Sequence, residues 1–381
     1  MNDNGLPAEC RDRLDRTLSE MEGKGINVLL IYSRGKREML RMDGNRYLTG
    51  YSGFGKDSIL IIEKDEGPLL LVNPSEIVDI AREETVLGEL IGTDDLVSGL
   101  VSVLGSRTYD DYRIGLVGQD VMPAGLFNDL SKAIPAAFLV DNDFLRRVGR
   151  TKSPWEIERI RRAQEMADIG FTQMLEKVKP GIREFELAAE LEFALRLQGA
   201  RDNFNLLASS GHNQAIRLPT DKKLEEGDIV IAEISPECDG YFAQLCRTIL
   251  LGEPPEALLE KYGLLKRCFE DGLRAAKPGA LAEDVAIAIN RITSEAGYEV
   301  YSKPPYMRSR GHGLGQGSNF PGEFSEGNRT VLEEGMTFII HPNQYIPETG
   351  YIMLGETCVI SEKGARSFSS LEHKVFTVDD L

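Results

Sequence analysis

KPGIREFELAAELE (Lys179–Glu192) and KPGALAEDVAIAIN (Lys277–Asn290) open two stretches of the chain that repeat one another. After each KPG an amphipathic helix runs to a glycine eighteen residues on, Gly199 and Gly297. A Gly-His pair follows in both copies, Gly211–His212 and Gly311–His312. LEEG comes next, Leu224–Gly227 and Leu332–Gly335, and leads into an apolar strand. Six residues past its glycine stands Glu233 in one copy and His341 in the other. Four matches in one order predict two helix–strand halves related by a pseudo-two-fold axis. Glu233 and His341 are then expected on neighbouring strands, facing one way, with His212 and His312 entering one cavity from opposite halves.

The segment before this repeat reads differently. INVLLIYS (Ile26–Ser33), SILIIE (Ser58–Glu63) and GPLLLV (Gly67–Val72) are short apolar strands. NRYLTGYSGFG (Asn45–Gly55) reads as a loop, either a packed connector or a pocket lining of Tyr47, Tyr51 and Phe54. A long helix opens at KSPWEIE, where Ser153 caps, Pro154 fills the first helical position and Glu156 completes a capping box. The boundary is placed at 150. An α/β (α+β) chain is expected, with a smaller N-terminal α/β domain over 1–150 and a repeat-built domain over 151–381. At 381 residues the chain is too long for one ordinary core.

A net charge of −17 argues against nucleic acid or an anionic membrane as the partner. No apolar run approaches the length of a membrane span. Five cysteines without a C-x-x-C fit a reducing, cytoplasmic setting and no zinc or disulfide framework. The four histidines are His212, His312, His341 and His373, and three of them fall at repeat-related positions. His373 is read as structural, Cys246 as buried and inert, and Asp239–Gly240 as a hairpin turn.

KSPWEIERIRRAQEMADIG, KPGIREFELAAELE, GDIVIAEISPECDGYFAQLCRT and GHGLGQG together resemble the pita-bread family of aminopeptidase P, prolidase, methionine aminopeptidase and creatinase. NRYLTGYSGF resembles the N-terminal domain of the creatinase and aminopeptidase P branch. The resemblance implies a pita-bread fold and a homodimer. It also implies a centre of two divalent ions, whose ligand positions fall here on Glu233, Gln244, Gln316, His341 and Gly355, or Glu356 with a shift of one. Two amides replace charged ligands, so a dinuclear site is not expected, nor any metal or other cofactor. Creatinase is the metal-free precedent, but its acting histidine falls at Arg217 or Leu218 and its glutamates at Cys246 and Gly355.

The resulting expectation is a metal-independent, creatinase-like hydrolase cleaving a C–N bond of a small, polar, carboxylate-bearing compound. His312 and His341 would exchange protons, with Glu233 paired to His341 as orienter. His212, Arg217, Gln244, Arg310, Gln316, Tyr345 and Glu356 would bind substrate, the arginines holding its carboxylate. Two alternatives stand beside it. One is a mononuclear, metal-dependent Xaa-Pro peptidase-like hydrolase using Glu233, His341 and Glu356; the other is a non-catalytic binding member of the family.

Overall fold

The computed structural model describes residues 5–35, 39, 41–53, 56–64, 66–105, 112–134 and 137–378. They divide into two compact units, Met1–Gly149 and Arg150–Leu381. In the first, β1 (Val28–Ser33), β2 (Ser58–Glu63), β3 (Leu69–Val72), β4 (Glu89–Gly92), β5 (Ile114–Val117) and β6 (Phe138–Val140) form one sheet. Its order is β4-β3-β2-β1-β5-β6. Every residue of β1 is buried, because helices cover both faces. Leu29 and Ile31 enter one core cluster, and Val28, Leu30 and Tyr32 the other. That two-sided burial is why the strand reads as an unbroken apolar run.

Asn45–Gly55 was expected to be a loop, yet it begins within a helix, Gly44–Thr49. Asp43 caps that helix by accepting from the backbone N–H of Asn45 and Arg46. Tyr47 and Tyr51 are buried in the core beside β1, so they pack and line no pocket. Phe54, the third aromatic of that expectation, lies outside the described residues.

The second unit carries β7 (Asn203–Ser210), β8 (Ile229–Cys238), β9 (Tyr241–Phe242), β10 (Leu245–Leu250), β11 (Gly311–Gly313) and β12 (Asn319–Glu323). β13 (Thr337–Ile340), β14 (Gln344–Ile346), β15 (Gly350–Ile352), β16 (Gly355–Ser361), β17 (Gly364–Ser367) and β18 (Phe376–Thr377) complete it. The main path is β12-β11-β13-β16-β10-β8-β7. The path is symmetric about the β10–β16 seam: β8 answers β13 and β7 answers β11. The two halves also repeat in detail. Gly181 N–H donates to Leu224 O and Gly279 N–H to Leu332 O, both at 2.8–2.9 Å. Isolated bridges join Arg183 to Lys223 and Leu281 to Val331. This is a pita-bread sheet with an internal pseudo-two-fold axis.

Helices Pro154–Leu175, Glu184–Leu197, Glu256–Ala275 and Ala282–Glu295 belong to the same unit. The capping box read from the sequence opens the first of them. Side chains alternate along a strand, so one set of sheet residues meets the helices and the other faces away. Val230, Ala232, Ile234, Leu245 and Ile249 pack with helix residues Ala163, Leu187, Leu191 and Leu195 in one core cluster. Glu233 and Cys246, between them in sequence, therefore point to the other face.

On the helix-covered face a buried ion pair fastens the seam. Between β10 and β16 the ladder comprises only Leu245↔Glu356 and Cys246↔Gly355. Arg247 reinforces it: Nη1 donates to Cys246 O and Gly355 O, both at 3.0 Å, while Nη2 donates to Glu356. Both side chains are almost fully buried. Burial pushes the Glu356 carboxyl up, but the His373 hydrogen bond and the Arg247 charge outweigh it and hold the group down to about 2. Removing one partner of such a pair strands the other, at a cost of about 3–5 kcal/mol. Arg247→Leu is therefore expected to destabilise the second unit by about that much. Its sole tryptophan, Trp155, reports the transition by fluorescence in urea. A loss under about 1 kcal/mol would contradict the seam's dependence on the pair.

Candidate active site

The register of four strands places the central groups. Glu233 on β8 opposes Cys246 on β10, and Cys246 opposes Gly355 on β16. Ile340 opposes Glu356, so the next pair along brings His341 level with Gly355. Directly opposed residues in an antiparallel sheet share a face. Glu233, Cys246, Gly355 and His341 thus form one row across the cleft face. Glu233 and His341 share that face, as expected, but they are not on neighbouring strands. β10 and β16 stand between them, about 14 Å of sheet at the usual strand spacing.

Gly355 matters through what it lacks. A Cβ there would stand 2.6 Å from the His341 Cβ and 2.7 Å from Ile340 O. The backbone has closed around a glycine, and His341 occupies the space.

His312 on β11 opposes Ile339, which puts its ring on the same face as His341. The two rings meet edge to face with centroids 5.6 Å apart. His312 Nδ1 lies 3.1 Å from Gly313 O. A carbonyl only accepts, so Nδ1 carries the ring proton. Gln244, two residues before Cys246, brings its side-chain amide near the Glu233 carboxyl, and the Cys246 thiol donates to that carboxyl at 3.9 Å. Asn343 Nδ2 donates to the Cys246 sulfur at 3.8 Å. Among the described residues, Gln244 Oε1, Gln316 Oε1 and His341 Nδ1 are buried with no hydrogen-bond partner. Buried polar atoms are nearly always satisfied, so each of these orphans marks a group whose bonding a ligand would complete.

Electrostatics correct the expected proton relay. Burial lowers His341 to about 3, reinforced by the charge His312 would carry. Burial also lowers His312. Both rings are neutral near pH 7. Burial raises Glu233 to about 7, with only the Gln244 amide and the Cys246 thiol opposing it. The expected carboxylate–imidazolium pair of Glu233 and His341 is not formed. The two groups stand apart, and each is pushed toward its neutral state.

Several expected substrate contacts are also placed elsewhere. Glu356 sits in the helix-face row with Ile340 and Leu245, one residue out of phase with Gly355, and is bound to Arg247, His373 and Ser367. It cannot join Glu233 and His341 in the cleft or share an ion with them. Arg217 is bound to Glu184 through both terminal nitrogens, at 2.6 and 2.9 Å. Arg310 is 1% exposed and donates to Asn290, Asn343 O and Gln344. Neither arginine is free to hold a substrate carboxylate. His212 does not meet His312: its Nε2 donates to Pro347 O at 2.9 Å and its ring packs edge-on against Tyr345. Tyr345 stacks on Tyr306 at 5.4 Å and contacts Tyr301 at 5.5 Å.

Sequence reasoning missed Tyr351. It opposes Tyr345 across the β14–β15 ladder, and the charges of Glu233 and Cys246 bear on its hydroxyl. Only pairing Tyr345 with Tyr351 in a hairpin, around PETG (Pro347–Gly350), would have found it.

The two-ion centre implied by the resemblance does not fit these residues. Gln244 and Gln316 offer uncharged oxygens, Gly355 offers none, and its position has no room for a side chain. Among the described residues no group of three or more His, Cys, Asp or Glu stands together to hold a metal.

Comparison with known proteins gives the lineage. Residues 13–149 match the creatinase/prolidase N-terminal domain, and residues 158–362 match the metallopeptidase family M24. The chain is 32% identical to a Xaa-Pro dipeptidase of Pyrococcus furiosus over 237 residues, 61% of this chain and 67% of that protein. It is 27% identical to the Xaa-Pro dipeptidase of Lactobacillus helveticus, over 85% of this chain and 89% of that one. The prolidase structure from Pyrococcus horikoshii OT3 superposes with a TM-score of 0.83 at 25% identity, covering 94% of this chain and 98% of that one. These relatives favour the Xaa-Pro peptidase-like alternative over the creatinase-like, metal-independent expectation, which none of them supports. No helix among the described residues is long and apolar enough to cross a membrane. The chain is a hydrolase of the creatinase/aminopeptidase P group and belongs to the metallopeptidase family M24.

Proposed function

We propose that the chain is a Xaa-Pro peptidase-like hydrolase that cleaves the amide bond of a small peptide-like substrate in the cleft of Glu233, Gln244, His312, Gln316 and His341. The observation that carries this reading is the buried, unpartnered polar atoms of Gln244, Gln316 and His341. The Xaa-Pro dipeptidase relatives supply the bond type.

The chemistry is written through the chain's own groups. Glu233 accepts a proton from a water whose oxygen attacks the amide carbonyl carbon. It returns that proton to the departing nitrogen as the C–N bond breaks, leaving a carboxylic acid and an amine. A carboxyl raised to about 7 suits both steps near neutrality. The neutral His341 and His312 rings orient substrate and carry no proton through the cycle. A second reading, hydrolysis assisted by a single divalent ion, is favoured by the family's being one of metallopeptidases.

Kinetics separate the roles. With alanyl-proline as substrate, Glu233→Gln is expected to lower kcat by about 10²- to 10⁴-fold. His341→Gln is expected to retain kcat within roughly tenfold, below the loss typical of an acid–base group. The reverse order would restore the histidine relay.

A chelator is expected to leave the wild-type rate unchanged. A rate lost to chelator and restored by manganese would establish the single-ion reading instead.

Stability against pH gives a test without substrate. The Glu233 carboxyl is raised in the folded protein, from about 4.3 in an unfolded chain. Its contribution to stability is present below that unfolded value and lost as pH rises through about 7. Glu233→Gln removes this loss. The variant should melt higher than wild type at pH 8, by a margin that shrinks toward pH 4. A variant that melts lower at pH 8 would mean the carboxylate is held ionised, as a bound cation would hold it.

A further inference from the structure

The duplicated halves of the second unit give the helix Glu184–Leu197 an internal control. Its counterpart is the helix Ala282–Glu295, of the same length. Phe185 N–H donates to Thr220 O and Glu283 N–H to Asn328 O, which sets Phe185 level with Glu283 in the repeat. The inward faces agree: Leu187, Leu191 and Leu195 are buried in one helix, Val285, Ile289 and Thr293 in the other. The outward faces do not. Where the second helix carries Glu283, Arg291 and Glu295, the first carries Phe185, Phe193 and Leu197, which are 46%, 62% and 71% exposed. Glu283 pairs with Arg329 and Arg291 with Asp271, the ordinary condition of a solvated helix face. The fold therefore does not require apolar residues at these places. Together with Ala189 they recur every four residues, so they form one stripe along the helix. The Arg183 guanidinium lies 5.9 Å from the centre of the Phe185 ring, and the residue is nearly half exposed all the same.

We propose that this stripe is an interface between two copies of the chain, their helices running antiparallel across a two-fold axis. The charges beside the stripe select that occupant. Glu186 and Glu190 are exposed toward the N-terminal end of the helix and Arg196 toward its C-terminal end. A copy turned end for end about the middle of the stripe sets Phe185 against Leu197 of the second copy, Phe193 against Ala189, and Glu186 against Arg196. Each contact then occurs twice, as an isologous pairing requires. A copy laid parallel would set Glu186 on Glu186 and Arg196 on Arg196. The small Ala189 leaves room for the Phe193 ring near the centre, where a buried aromatic contributes most. The stripe lies on the solvent side of the helix layer, so the pairing leaves the cleft face of the sheet untouched and does not depend on the reaction there.

Sedimentation velocity of the full-length protein, from about 0.1 to 100 µM, tests this. Wild type should associate within that range. Phe193→Glu should halve the assembled mass and raise the dissociation constant by about 100-fold or more, because each interface loses two aromatic anchors. Arg291→Ala, at the equivalent place on the second helix, should leave the mass as in wild type. Charge reversal gives a second readout with the apolar stripe intact. Arg196→Glu should weaken association by about tenfold, and combining it with Glu186→Arg should restore most of that loss. All the altered side chains are exposed, and circular dichroism checks that each variant is folded. A wild type that stays monomeric throughout the range, Phe193→Glu with undiminished mass, or a double variant no better than Arg196→Glu would each overturn the proposal.

Discussion

The second unit depends on a seam two residue pairs long. β10 and β16 join the halves of the pseudo-symmetric sheet, and their ladder has only Leu245↔Glu356 and Cys246↔Gly355. Arg247 bonds the carbonyls of Cys246 and Gly355 from the helix-covered side and neutralises Glu356 there. His373 and Ser367 complete the carboxylate's bonding. Cys246 and Gly355 are also the middle of the cleft row. The clamp on one face therefore sets the spacing between Glu233 and His341 on the other. Strand alternation separates the two jobs: odd positions of β8 and even positions of β10 reach the cleft, while their neighbours reach the core.

Burial then decides what the row can do. Around Glu356 an arginine and a histidine compensate for desolvation, and the group stays ionised. Around Glu233 the neighbours are an amide and a thiol, and desolvation wins. The same uncompensated burial drives His341 and His312 toward their neutral forms. Two carboxyls a short way apart in one sheet thus have opposite characters, the arrangement expected where one is structural and the other reactive. The uncharged oxygens of Gln244 and Gln316 and the missing side chain at Gly355 are the physical reason that a two-cation centre does not fit the cleft floor.

Much of this was legible in the sequence. The duplicated KPG, Gly-His and LEEG landmarks map onto matching helices, bridges and strands, because turns and caps are local and leave local signatures. The capping box at Ser153 and Glu156, the two-sided strand Val28–Ser33 and the Asp239–Gly240 turn are all local in this sense. In that turn Asp239 and Gly240 both take positive φ. What the residues concealed was strand order and phase. Pseudo-symmetry relates Glu233 to His341, but only the sheet path reveals two strands between them. Glu356 and Gly355 are adjacent in sequence, and one residue of phase sends them to opposite faces. Arg217 and Arg310 read as anion anchors because sequence does not disclose a partner such as Glu184, thirty-three residues away. Cys246, set aside as inert, stands in the middle of the cleft row.

The central claim is that this cleft holds no pair of divalent ions. The most direct measurement is anomalous X-ray scattering at the zinc and manganese edges, on crystals of the full-length protein equilibrated with each ion. The account predicts no anomalous peak among Glu233, Gln244, Gln316 and His341. Two fully occupied peaks between those residues would contradict it.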